Sequence, residues 1–222
     1  MKYYGAVLFV LVFAMPLSAQ EQKTIITGDQ MQMKKGGKVL VFTGNAKVTR
    51  GNNILQADSM IQDKVSNIVE AAGNIRFQTC SSDKEPIYAT SGKARYDISG
   101  EKGSLWENRP HIIYYVKDST GPVHLFADEL QFNKKNEEIA GSGQVEILTS
   151  SASVYAPSAL FLQKEKKMTF SGNPQPKLII LQEKQQGTYT ADRITMLIDR
   201  KKVIMEGSVH GKMSVNDTGN KP

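Results

Sequence analysis

Groups able to do chemistry are few in this chain, and their spacing argues against catalysis. The three histidines, His111, His124 and His210, are scattered, with no neighbouring cysteine and no metal-ligand spacing. No nucleophile elbow, Walker loop, metalloprotease helix or dinucleotide-binding glycine pattern is present. Asp29, Asp58, Asp128 and Asp192 invite an acid/base or metal reading, but each occupies the same place in a recurring frame. A catalytic pair is a single site. A carboxylate repeated in successive units more often satisfies backbone donors at a turn. Cys80, the only cysteine, falls in the polar loop 78–86, where an unpaired thiol is the expected state. The reading is a protein that is not an enzyme, with no metal and no cofactor.

The frame that repeats is clearest from Ile54 to Phe77. It consists of Ala57-Asp58, a hairpin's length of chain, and then Gly73-Asn74. Apolar residues alternate around both anchors: Leu55 and Ala57, then Met60, then Val69, Ala71, Ile75 and Phe77. Period two marks half-buried strands, and the polar run 62–67 between them is a turn. The first anchor recurs at Gly28, Ala57, Ala89, Ala127, Ala156 and Ala191, the second at Gly44, Gly73, Glu107, Gly143, Gly172 and Gly207. The interval is sixteen residues in five units and eighteen in the third. Six hairpins of fixed length on variable linkers predict an all-β fold of stacked antiparallel hairpin repeats, a solenoid-like roll.

Alternation also predicts corners. In the first strand of each hairpin the apolar parity changes at the anchor, as from Val123, Leu125 and Ala127 to Leu130 and Phe132. Such a slip is what a bulge or bend produces, and Pro157, standing where other units have aspartate, fits the same corner. The second strand keeps its parity through a glycine that costs roughly 0.5–1 kcal/mol in a strand. Either a tight corner or the close approach of another group requires it. Asn108-Arg109-Pro110 resembles Asn173-Pro174-Gln175-Pro176, a longer-period echo. The third unit stands apart with Trp106-Glu107, for which packing of the tryptophan is the expected explanation.

Lys2, the apolar run 3–13 and small residues up to Ala19 have the regions of a cleavable secretory signal. The expected division is a signal at 1–19, one domain at 20–215 and a polar tail at 216–222. One cysteine in a secreted chain excludes a disulfide scaffold, so strand pairing and burial must hold the fold. Irregular strands and the polar tail argue against an outer-membrane barrel.

These residues resemble the OstA-like family, the LptA-type periplasmic bridge proteins of lipopolysaccharide transport. The resemblance rests on Phe42-Thr43-Gly44-Asn45-Ala46-Lys47-Val48, Leu55-Gln56-Ala57-Asp58, Ala72-Gly73-Asn74-Ile75, Phe126-Ala127-Asp128-Glu129-Leu130, Ser171-Gly172-Asn173-Pro174 and Ala191-Asp192-Arg193-Ile194. It implies an open β-jellyroll that binds lipopolysaccharide in the periplasm. It also implies partners in the inner-membrane-anchored and outer-membrane translocon components of a bridge, which share the fold, so its place in that pathway stays open.

The residues themselves agree with that mechanism. A groove lined by Met31, Met33, Phe42, Met60, Phe77, Leu130, Phe132, Phe161, Phe170, Met196 and Met205 would cover acyl chains, at about 0.8 kcal/mol for each methylene kept from water. The alternative is that these side chains simply fill a closed core, as in an adhesion or scaffold module. An open stack exposes edges, with 23–26 and 209–215 the candidates for head-to-tail self-association. The hairpin turns hold 13 basic and 7 acidic residues, a surplus of six, while the chain from residue 20 onward has 27 against 22. Equivalent turns of a stack align, so this excess reads either as ordinary solvated turns or as a basic rail of Lys34, Lys35, Lys38, Lys134, Lys135, Lys164, Lys166, Lys167, Arg200, Lys201 and Lys202. No nucleic-acid partner is expected.

Overall fold

The computed structural model describes residues 24–215 apart from 51, 82–83, 116–120, 134, 163, 183–184, 198–199 and 201. The expected signal, the polar tail, Lys134 and Lys201 lie outside the described residues, and of the Cys80 side chain nothing is described. No helix occurs among the described residues; eighteen strands form one antiparallel, continuously bonded sheet. The fold class is therefore all-β, as expected.

The chain makes twelve passes, six unbroken and six divided by a short corner. β1 (Thr24–Thr27) and β2 (Gln30–Lys34) form the first pass; β3 (Val39–Arg50), β4 (Asn53–Asp63), β5 (Ile68–Ser81) and β6 (Lys84–Asp97) are unbroken. β7 (Lys102–Trp106) with β8 (His111–Tyr115), and β9 (Pro122–Phe126) with β10 (Glu129–Asn133), are divided. β11 (Glu138–Leu148) and β12 (Ala152–Leu162) are unbroken again. The last three passes are β13 (Lys167–Ser171) with β14 (Lys177–Gln182), β15 (Gln185–Thr190) with β16 (Arg193–Leu197), and β17 (Lys202–Glu206) with β18 (His210–Val215).

Every pass contributes to two layers that meet at its corner. One layer runs β1, β3, β4, β5, β6, β8, β9, β11, β12, β14, β15, β18. The other runs β2, β3, β4, β5, β6, β7, β10, β11, β12, β13, β16, β17. We call them the first and second layers. The unbroken strands lend one half to each. Hydrophobic clusters combine both layers: Ala46 and Ile75 of the first pack with Phe42 and Met60 of the second, and Val154 and Leu178 with Phe170 and Ile194. Inward parity is thereby fixed, and the core lies between the layers.

The corners explain the repeating frame. Ladder register slips by one residue between Thr43 and Ala46, between Ala72 and Ile75, and between Ser142 and Val145. The residues in the slip take positive φ: Gly44 (71°) with Asn45 (48°), Gly73 (77°) with Asn74 (44°) and Gly143 (66°) with Gln144 (45°). A bulge of this kind bends the strand, and glycine enters the left-handed region at no steric cost. The glycine is needed for a second reason. A Cβ on Gly73 would stand 2.2 Å from a carboxylate oxygen of Asp58, and one on Gly44 2.4 Å from that of Asp29. Asp128 covers Gly143, Asp192 covers Gly207, and the Pro157 ring covers Gly172 in the same way. Corner and close approach are thus one device, and the approaching group is the anchor of the same hairpin.

The third unit corrects the expected eighteen-residue interval. Gly92 N–H donates to Glu107 O at 2.8 Å, as Asp29 does to Gly44 O and Asp128 to Gly143 O, each at 2.8 Å. Its anchor is therefore Ser91-Gly92 rather than Ala89, sixteen residues before Glu107. Side chain and space have changed places here: a Cβ on Gly92 would lie 2.8 Å from that of Glu107. Glu107 (φ 59°) and Asn108 (φ 55°) take the left-handed positions that Gly-Asn takes elsewhere. Trp106 stands beside this exchange. It pairs with Lys93 and Glu129 on the outward parity of the second layer and is half-buried. The Asn-Pro echo is structural too: Pro110 and Pro176 are fully buried, and each carbonyl accepts the N–H of the next anchor, Ala127 or Ala191, at 3.3 Å.

Candidate lipid-binding groove

Along the inner face of the second layer two rows of positions run through the ladders, predominantly apolar but interrupted by Gln62 and by the glycines Gly103 and Gly141. The row nearest the corners is Met31, Phe42, Met60, Ala71, Ala94, Leu105, Leu130, Gly141, Ala159, Phe170, Ile194, Met205. The row nearer the turns includes Met33, Leu40, Val69, Phe132, Ile139, Phe161, Met168, Met196 and Val203. Of the residues expected to line a groove, all but one lie in these two rows. Phe77 is the exception. It faces them from the first layer, in a row with Leu55, Ala89 and Ile112.

Their burial is graded rather than uniform. Phe42, Met60, Phe77, Leu130, Phe161 and Phe170 are buried, the last completely. Phe132, Met196 and Met205 are half-buried, and Met31 and Met33 are 53% and 66% exposed. The Phe132 ring lies over Gly103, where a Cβ would meet it at 2.0 Å. In this state the centre of the roll is filled by its own side chains, while Leu40, Phe132, Ile139 and Met196 in the row nearer the turns, and the ends, keep apolar surface open.

The anchor aspartates hold the corners. Asn45 donates to Asp29 and Asn74 to Asp58, both at 2.9 Å. The Ser208 backbone N–H donates to Asp192 at 2.9 Å, and the Gln175 amide donates to the other oxygen. The Ser208 N–H first, and then the Gln175 amide, hold the Asp192 carboxyl below its ordinary range. Among the described residues no group of three His, Cys, Asp or Glu side chains is placed to hold a metal.

Spacing gave no sign of one cluster. On the outer face of the first layer His111 Nε2 and His124 Nδ1 are 3.0 Å apart, and the His111 ring stacks on Phe126 at 4.0 Å. The Arg109 guanidinium lies 5.0 Å above Phe126 and pairs with Glu146 at 2.6 Å. Burial, then the charges of His124 and Arg109, hold His111 below the usual imidazole range. Only pairing β8 with β9 brings these two histidines together.

Comparison with known proteins follows the repeat. Residues 25–109 match the family described as LptA/(LptD N-terminal domain) LPS transport protein. The match spans three of the six hairpins, and over that stretch it agrees with the OstA-like, lipopolysaccharide-transport resemblance of the recurring Ala-Asp and Gly-Asn anchors. Among curated proteins the LPS-assembly protein LptD of Nitrosococcus oceani is 29% identical over 100 residues, 44% of this chain. The chain spans 13% of that protein's length. Among solved structures, LptH of Pseudomonas aeruginosa, the LptA homologous periplasmic component of the conserved lipopolysaccharide transport device, is 11% identical. That alignment covers 73% of this chain and 96% of LptH at a TM-score of 0.33.

Proposed function

We propose that this protein binds lipopolysaccharide in the periplasm, shielding its acyl chains between the two layers, and takes part in a bridge between inner and outer membranes. The observation that carries the reading is the pair of predominantly apolar rows on the inner face of the second layer, several of whose turn-side members are only partly covered. Chains entering from the turn edge would meet Leu40, Phe132, Ile139 and Met196 first, which are only half-buried. Loading then requires the layers to part at their turn edges, with the bulged corners as hinge.

Head-to-tail association belongs to the same proposal. Among the described residues β1 and β2 at one end each pair only with β3, while β17 and β18 at the other pair only with β16 and β15. Both ends thus present unpaired strand edges in both layers, which another chain of the same fold can extend. The match to an LptD favours a second reading, a module associated with the outer-membrane translocon.

A photo-reactive residue at Phe132 or Met196 should crosslink to lipopolysaccharide in cells. The same residue at Gln131 or Thr195, which alternate to the outer face, should not capture acyl chains. Equal lipid capture from both faces rejects the inner groove.

A further inference from the structure

Beside the inner groove the second layer carries another concavity, on its outer face. A groove of about 1100 Å³ crosses β11, β12, β13, β16 and β17. Among its lining residues are Ser142, Ser158, Thr169, Thr195, Arg193 and Arg200. Three of these side chains lack partners among the described residues. Thr195 is 7% exposed, yet its hydroxyl has no hydrogen-bond partner among the described residues. Arg193 and Arg200 are exposed, and neither guanidinium forms an ion pair among the described residues. A buried hydroxyl left unsatisfied is unusual and is relieved by a ligand that can bond to it. Free guanidinium forks match phosphate and carboxylate oxygens. Leu160 and Ile204 supply apolar patches of the kind a sugar's C–H faces cover.

We infer that this outer groove binds an anionic saccharide, the phosphorylated sugar head of the lipid whose chains enter between the layers. The inference rests on the proposed lipopolysaccharide reading for the identity of the ligand. The chemistry is independent of it: hydroxyls receive hydroxyls, Arg193 and Arg200 receive the anionic oxygens, and Thr195 finds its missing partner. Lys167, paired with Glu165 at 3.9 Å, also lines the groove, and Glu206 stands opposite Arg193 in the ladder, so the groove selects for placement of charge as well as its sign. An acyl chain and a charged sugar want opposite surroundings. The two faces of one sheet provide both.

The test uses the full mature chain labelled with 15N and titrated with fully deacylated lipopolysaccharide, with its dephosphorylated counterpart and with inorganic phosphate. The deacylated sugar should shift backbone amides of β12, β13 and β16. Combined Arg193→Ala and Arg200→Ala should weaken it by about tenfold. Thr195→Val, nearly the same shape, should weaken it by about threefold while the free protein melts no lower, since the unsatisfied hydroxyl is gone. Shifts confined to the turns, or none, overturn the site. Equal binding of the dephosphorylated sugar removes the arginines' role, and equal binding of inorganic phosphate removes the saccharide; either outcome rejects the proposal. Crosslinking from Phe132 reports the inner groove separately, so lipid capture without amide shifts sinks this inference alone, and amide shifts without lipid capture sink the lipid reading alone.

Discussion

Phe42 and Met31 are neighbours in one row of one layer, directly paired across β2 and β3, yet Phe42 is 6% exposed and Met31 53%. The difference repeats at the far end, where Met213 of β18 is 53% exposed while Phe170 and Ile194, deeper in the stack, are fully buried. Local sequence does not set this contrast, since the alternation is the same in every unit. Position in the stack does. A repeat buries its apolar face against neighbours on both sides, and a terminal repeat has a neighbour on one side only. The centre is therefore a core, and the ends are surfaces that a further copy or partner would complete.

The sharpest way to break that contrast is to truncate one side chain from each region. Phe170→Ala removes a fully buried ring and should cost about 3–5 kcal/mol, lowering the thermal midpoint by many degrees. Met31→Ala, in the same row, should shift the melt by less than about 0.5 kcal/mol. Light scattering should respond in the opposite order. The edge variant Met31→Asp should reduce concentration-dependent growth while leaving the monomer folded. If Met31 proves as costly as Phe170 in a monomer, the stack is not the source of the burial gradient.

A corner variant sharpens the comparison next. Gly73→Ala places a Cβ against Asp58 at positive φ in the second hairpin and should destabilise by about 1–3 kcal/mol. The paired change Asp58→Ala with Gly73→Ala should recover part of that loss, because only the φ cost then remains. Chemical denaturation of the two single variants and the pair measures the coupling. Additive losses would show that the carboxylate does not need the glycine.

Much of this was legible from alternation and spacing, and the failures share one cause. Period two placed Met31, Phe42, Leu130, Phe170 and Met196 on one face, and the parity slip located the corners. The frame slipped at Ala89 because the third unit exchanges glycine for side chain: Gly92 lies under Glu107 where elsewhere an aspartate lies over glycine. A pattern of small residues cannot reveal a contact whose two halves have been swapped. The His111–His124 pair had no signal at all, since thirteen residues and a strand pairing separate the rings. How deeply each groove residue would be buried depended on stack position, which alternation does not encode.

Charge divides the molecule along the same line. All six hairpin turns fall on one edge of the second layer, between β2 and β3, β4 and β5, β6 and β7, β10 and β11, β12 and β13, and β16 and β17. Their formal charges in order are +3, 0, −1, 0, +2 and +2 over the segments 34–38, 61–67, 97–104, 133–138, 163–167 and 199–202. The expected rail is therefore two basic poles with a neutral middle. Exposed charges act over about 8–10 Å at physiological salt, so the poles should speed capture of phosphorylated lipid without tightening it. Reversing Lys34, Lys35 and Lys38 to glutamate should slow transfer at low salt, and reversing Lys102 and Lys135 in the middle should do less. Equal slowing from both sets would restore a continuous rail.

The smallest effect concerns pH and sits at the centre of the stack, on the outside of the first layer. His111 is held below its ordinary pKa by burial first and then by His124 and Arg109, whose own charge is met by Glu146. Folding therefore disfavours protonation of His111. The unfolded chain, with an imidazole near pH 6.5, takes up the proton earlier as pH falls. Stability from this residue is complete above about pH 6.5 and is lost as pH drops through the lower folded value. His210, on the exposed terminal strand, has no such stacked neighbours among the described contacts. The melting temperature should fall between pH 7.5 and 5.5, and His111→Gln should flatten that fall while His210→Gln leaves it unchanged. If His210→Gln flattens the profile as much, the centre has no special claim on the proton.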